Sequence, residues 1–82
     1  MADKLLSVTV INPQGVVFQA AAERVIMPGE RGVFEVLAFH KRLLSRLLSG
    51  TVIIDEHTIP IYRGVVRVGN NAVTIIMEER KA

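Results

Sequence analysis

The chain has 82 residues, enough for one small domain, which buries only about 60% of the surface its unfolded form exposes. Half of its residues are hydrophobic and 22% are charged, which excludes a disordered tail; the absence of cysteine excludes disulfides, thiolate zinc sites and a cysteine nucleophile. Ten Lys and Arg against eight Asp and Glu leave a formal charge of +2, too mild by itself to mark a nucleic-acid binder.

The opening Met1-Ala2-Asp3-Lys4-Leu5-Leu6-Ser7 lacks the apolar stretch of a secretory signal, and no window approaches 18 apolar residues, so the expected compartment is cytoplasmic. Twelve valines and eight isoleucines favour strands. Leu6, Val8 and Val10 alternate with Ser7 and Thr9, the pattern of a half-buried strand. Asn12-Pro13-Gln14-Gly15 then turns the chain, and Val16-Val17-Phe18 returns antiparallel. A third strand over residues 23–27 stops at Pro28-Gly29, and a fourth covers 33–37.

Residues 41–48 are ambiguous, because Leu43, Leu44, Leu47 and Leu48 suit one face of a helix with Lys41, Arg42 and Arg46 on the other, in a segment short enough for tertiary context to decide. Residues 51–54 and 58–62 form a hairpin across Asp55-Glu56-His57; residues 65–68 and 72–77 form another across Gly69-Asn70-Asn71. Gly64, inside an apolar run, signals a bend or a close approach of two backbones. Short strands between closely spaced turns read as a sandwich or a barrel. The expected core is Leu6, Val8, Val10, Phe18, Val25, Met27, Val36, Ile53, Ile61, Val66, Val68, Val73 and Ile75.

Little in the chain suggests catalysis. There is no nucleophile elbow, phosphate loop or dinucleotide fingerprint, and Glu23, Glu30, Glu35, Asp55 and Glu56 read as solvated or turn carboxylates. Gly29-Glu30-Arg31-Gly32 matches the GxxG of RNA-binding loops, but it lies between strand-like runs and reads as a glycine turn. His40 is expected to be a hydrogen-bonded structural residue and His57 to be solvated. Lys41, Arg42 and Arg46 are an exposed basic face or a surface for an acidic partner, and the neighbouring Phe39 is the type of residue that anchors an interface.

The order of these segments resembles the N-terminal domain of the epsilon subunit of bacterial rotary ATP synthases, called delta in mitochondria. The likeness runs through Val10-Ile11-Asn12-Pro13, Val17-Phe18 and Val25-Ile26-Met27-Pro28-Gly29-Glu30-Arg31-Gly32. It continues through residues 33–40, Leu43-Leu44, Leu48-Ser49-Gly50-Thr51-Val52, residues 62–68 and Asn71-Ala72-Val73-Thr74-Ile75. It covers about residues 5–79 in one register, and no single motif carries it. Departures fall at Val33, Glu35, Ala38, Phe39, Lys41, Arg42 and Arg63, and point to a divergent or alternative form.

The resemblance implies an all-β fold: a flattened sandwich of two antiparallel sheets with about ten short strands. It implies a non-catalytic central-stalk subunit that couples gamma to the membrane c-ring in a proton- or sodium-driven ATP synthase, on the cytoplasmic face of the inner membrane or its organelle equivalent. By position, the c-ring contact falls on Glu30, Arg31, Gly32 and Val33, and the gamma contact on Asn12, Phe39, His40, Lys41, Arg42 and Leu43. No cofactor or metal is expected. Nothing after Met77 suits the helical hairpin of the family, so neither tight ATP binding nor inhibition of hydrolysis is expected. The rival reading is a free-standing basic β-domain that binds nucleic acid through Lys41, Arg42, Arg46, Arg63 and Arg67, and a small enzyme is the weaker rival.

Overall fold

A computed structural model describes residues 5–80. The elements are β1 (Leu6–Asn12), β2 (Gly15–Ala22), β3 (Arg24–Gly29), β4 (Gly32–Leu37), β5 (Leu43–Leu47), β6 (Gly50–Ile54), β7 (His57–Gly69) and β8 (Ala72–Glu79). Among the described residues no helix is long and apolar enough to cross a membrane.

The strands make a two-layer sandwich. One layer runs β2-β1-β8-β7-β5; the other runs β4-β3-β6 and ends on the first part of β7. β7 belongs to both layers: residues 57–61 pair with β6, and residues 64–68 pair with β5. All neighbours are antiparallel except β1 and β8, which run parallel from Ser7 opposite Ala72 to Ile11 opposite Ile76. The inner faces meet in one core of Leu6, Val8, Val10, Val25, Met27, Val36, Val52, Ile54, Ile61, Val66, Val68, Val73, Ile75 and Met77, with Leu47 and Ala22 at its margins.

Eight strands replace the expected ten or so, and the difference lies mainly in β7. Opposite β8, Ile61 pairs with Glu79 and Arg63 with Glu78, so Tyr62 is an extra residue, a β-bulge. One inserted residue reverses the alternation. Ile61 points inward at an odd position, while Val66 and Val68 point inward at even ones. The residues that read as two strands are therefore one bent strand. Gly64 lies just past the bulge, where a Cβ would stand 2.5 Å from the Ile76 carbonyl oxygen and 2.9 Å from the Met77 Cβ. Only glycine lets β7 and β8 approach this closely.

One ambiguity is resolved and two expectations change. Residues 43–47, open from the sequence alone, are strand β5, because five consecutive residue pairs bind them to β7. Leu43 and Leu47 turn inward; Leu44 and Leu48 are exposed. In β6 the buried pair is Val52 and Ile54, not Ile53, which is only partly buried. Phe18 packs on the edge of the core, and its ring lies 5.1 Å from that of His57, which was expected to be merely solvated.

Candidate functional site

The residues assigned to partner contacts fall near the two ends of β5, one beside Leu47, which pairs with Gly29 of β3, and the other where the β4–β5 connector enters at Leu43. Along β5, Leu43 sits opposite Val68 and Leu47 opposite Gly64. At about 3.3 Å per residue the two ends lie about 13 Å apart along this strand.

The first end is built around the turn between β3 and β4. Gly29 pairs with Gly32, which leaves Glu30 and Arg31 as a two-residue turn, and Gly32 has φ of 119°, a backbone that favours glycine. Glu30 accepts an ion pair from Arg46 at 3.0 Å. Val33 is 74% exposed. Glu30, Arg31, Gly32 and Val33 thus form one exposed tip, of which turn chemistry anticipated the exposure of Glu30 and Arg31.

Asn12 belongs to this end, not to the other. It is the only buried polar residue among the described residues. Its Oδ1 accepts the backbone N–H groups of Gln14 at 2.8 Å and Gly15 at 3.1 Å, and its Nδ2 donates to Glu79 at 3.0 Å. It shapes the β1–β2 turn and fastens it to β8. A cleft of about 510 Å³ places Asn12 and Glu30 on one wall system with Arg46, Arg63, Gly64 and Ile76. The structure therefore divides the six residues grouped as one contact.

The remaining five lie at the second end, four in the connector between β4 and β5 and Leu43 at the start of β5. The His40 N–H donates to the Leu37 carbonyl at 3.2 Å, and His40 Nδ1 lies 2.7 Å from the Lys41 carbonyl oxygen, so His40 is a structural hydrogen-bonding residue. Leu43 starts β5 and packs on the core. Lys41 and Arg42 are exposed and have no ion pair among the described residues. Phe39 is 70% exposed and has φ of 68°, a left-handed conformation that costs a bulky residue about 1–2 kcal/mol. Its N–H donates to Asn71 Oδ1 at 2.6 Å.

From the sequence Asn71 is a turn residue and part of a segment of the family likeness, with no contact assigned to it. It follows Asn70 in the two-residue β7–β8 turn, both at positive φ, the conformation that this hairpin turn requires. Its own carbonyl accepts the Ser7 N–H at 2.8 Å. The sequence also concealed a row of outward residues across the first layer. Val16 pairs with Ile11, Ile11 with Ile76, Ile76 with Val65, and Val65 with Arg46. Exposed Leu44 stands beside the row, opposite Arg67.

Of the five cations that would serve a nucleic-acid surface, Arg46 is paired with Glu30 and Arg63 with Glu78 at 3.2 Å. The turn carboxylate Asp55 caps the start of β3, accepting the backbone N–H groups of Glu23 at 3.0 Å and Arg24 at 3.1 Å. Glu35 pairs with Arg24 at 3.6 Å. Among the described residues no three of His, Asp and Glu converge on one point.

Known proteins share this arrangement. The family described as ATP synthase, delta/epsilon chain, β-sandwich domain, matches residues 5–81. The ATP synthase epsilon chain of Nitratiruptor sp. is 36% identical over 78 residues, covering 89% of this chain and 60% of that protein. The ATP synthase epsilon chain of Chlorobaculum tepidum is 34% identical over 83 residues, covering 95% of this chain and 94% of that one. Against five of the similar epsilon chains, the matched part spans 54–62% of the relative's length. Among solved structures, a chain of the Euglena gracilis mitochondrial ATP synthase superposes with a TM-score of 0.86 at 17% identity, over 96% of this chain and 54% of that one. A chain from the central stalk and c-ring of the Tetrahymena thermophila mitochondrial ATP synthase gives 0.76 at 16% identity, over 94% and 65%.

Proposed function

We propose, since this chain belongs to the delta/epsilon β-sandwich family of ATP synthases, that it is a non-catalytic central-stalk subunit of a rotary ATP synthase, joining gamma to the ring of membrane c subunits. The observation that carries this reading is mechanical. Two exposed ends of different chemistry sit on one hydrogen-bonded sheet, and β7 runs through both layers of the sandwich. Transmitting torque requires that a load applied at one contact reach the other without shear between layers. A strand shared by both layers, locked to β8 at Gly64, resists that shear. On this reading the Glu30–Val33 tip meets the polar loops of the c subunits, and the Phe39–Leu43 connector meets gamma. The complex would place the chain at the cytoplasmic face of the membrane, held there through its partners.

Cysteines at Arg31 and Val33 test the first contact. Both side chains are exposed, so substitution should leave the fold intact. Crosslinks to the c subunit in assembled membranes are the expected result. Crosslinks confined to other subunits would refute the placement, and failure of the chain to co-purify with gamma would refute the coupling role. Nucleic-acid binding that weakens steeply with salt would favour the rival instead.

A further inference from the structure

Phe39 carries two features that are unfavourable for an isolated domain. Its side chain is 70% exposed, and its backbone has φ of 68°, where glycine or asparagine would sit with less strain. The surroundings hold it there. Asn71 Oδ1 accepts the Phe39 N–H at 2.6 Å, and the Asn71 carbonyl accepts the Ser7 N–H at 2.8 Å, which ties the connector to the first strand through one residue. On the other side, the His40 N–H is bound to the Leu37 carbonyl. Strain that the fold maintains around an exposed aromatic side chain points to a use for that side chain. The neighbours specify the use: Lys41 and Arg42 follow directly, exposed and without ion pairs among the described residues, and Leu37 is 49% exposed beside them.

We propose that Phe39 is the apolar anchor of the contact at this end, that Asn71 is its positioning residue, and that the surface it meets is an apolar socket bordered by carboxylates. This rests on the coupling role above, which makes that surface part of gamma. An aromatic seated in a pocket controls how long a complex lasts, while the cations at its rim control how fast it forms. The hydrogen bond from the Phe39 N–H to Asn71 Oδ1 fixes the direction in which the ring leaves the surface before the partner arrives, so less ordering is needed on binding.

The test uses immobilised gamma subunit and the full chain carrying Phe39→Gly, Asn71→Gly, both together, or Asn71→Asp. Phe39→Gly should melt a few degrees above the wild type, because glycine accepts the left-handed backbone, and yet leave gamma roughly tenfold faster or more. Asn71→Gly keeps the turn but removes the acceptor. It should speed dissociation roughly threefold in the wild-type background and not at all on top of Phe39→Gly, as expected of residues that act together. Asn71→Asp retains the acceptor oxygen and should restore the wild-type rate. A Phe39→Gly chain that dissociates at the wild-type rate would overturn the anchor, as would one that melts lower. An Asn71→Gly effect that persists in the double variant would remove the positioning role. A wild-type chain that never binds gamma would overturn the coupling reading and this inference with it, an outcome distinct from binding that is indifferent to Phe39.

Discussion

The regions at the two ends of β5 use polar chemistry in opposite ways. At the Glu30 end most of the charges, Arg31 aside, are matched within the chain, Glu30 with Arg46 and Arg63 with Glu78, and Asn12 is bound to Gln14, Gly15 and Glu79. At the Phe39 end the backbone is pinned by Asn71, but Lys41 and Arg42 keep their charges unmatched among the described residues. An end that satisfies itself holds its own shape. An end with unmatched charge beside an exposed aromatic residue on a strained backbone keeps more of its chemistry for another surface.

Substitutions should separate the two behaviours. The largest effect belongs to Gly64→Ala at the Glu30 end. The new Cβ meets a backbone oxygen at 2.5 Å, so β7 and β8 must part, and a loss of at least about 2 kcal/mol is expected by denaturant unfolding. Next comes Asn12→Ala, which removes the acceptor for two amides and the tie to Glu79; about 1 kcal/mol should be lost, with a melting temperature lower by about 4–8 °C. Glu30→Gln breaks an exposed ion pair and should cost below about 1 kcal/mol, less in high salt. The smallest effect on stability belongs to Lys41→Glu with Arg42→Glu, within about 0.5 kcal/mol, although gamma association should slow, most clearly at low salt. If the charge reversal unfolded the domain while Asn12→Ala were silent, the contrast between the ends would be reversed.

Much of this fold was legible because strand alternation is a strong local signal. Leu6, Val8 and Val10 were placed inward by counting alone, and they are buried. The turn glycines and the need for a bare backbone at Gly64 were equally visible. What escaped was non-local. The extra residue Tyr62 reverses parity within β7, and only the pairing with β8 reveals it. The same limit explains Ile53: a run of Val52, Ile53 and Ile54 alternates with nothing, so its inward members depend on the register with β3 and β7. Helix propensity in residues 43–47 gave way to hydrogen bonding along an existing strand. In the candidate site, exposure of Glu30 and Arg31 followed from turn chemistry. The separation of Asn12 from Phe39 did not, because chain order says nothing about which end of a sheet a turn occupies. The role of Asn71 was hidden for a related reason: its partner lies 32 residues away in the chain.

The parallel pairing of β1 with β8 has a consequence for how the molecule comes into being. Val8 is made about 65 residues ahead of Val73, beside which it lies, a gap of several seconds at ordinary rates of synthesis. During that interval β1 can pair with β2 but lacks its other neighbour, and the inner face of the first layer has nothing to close on. Assembly therefore waits for β8 to complete the layer, and the rate should be set by a long-range encounter rather than by any hairpin. A nascent chain stalled before β8 would present Leu6, Val8 and Val10 to solvent, so the interval before β8 is made is when this small domain is most exposed to aggregation and to chaperones.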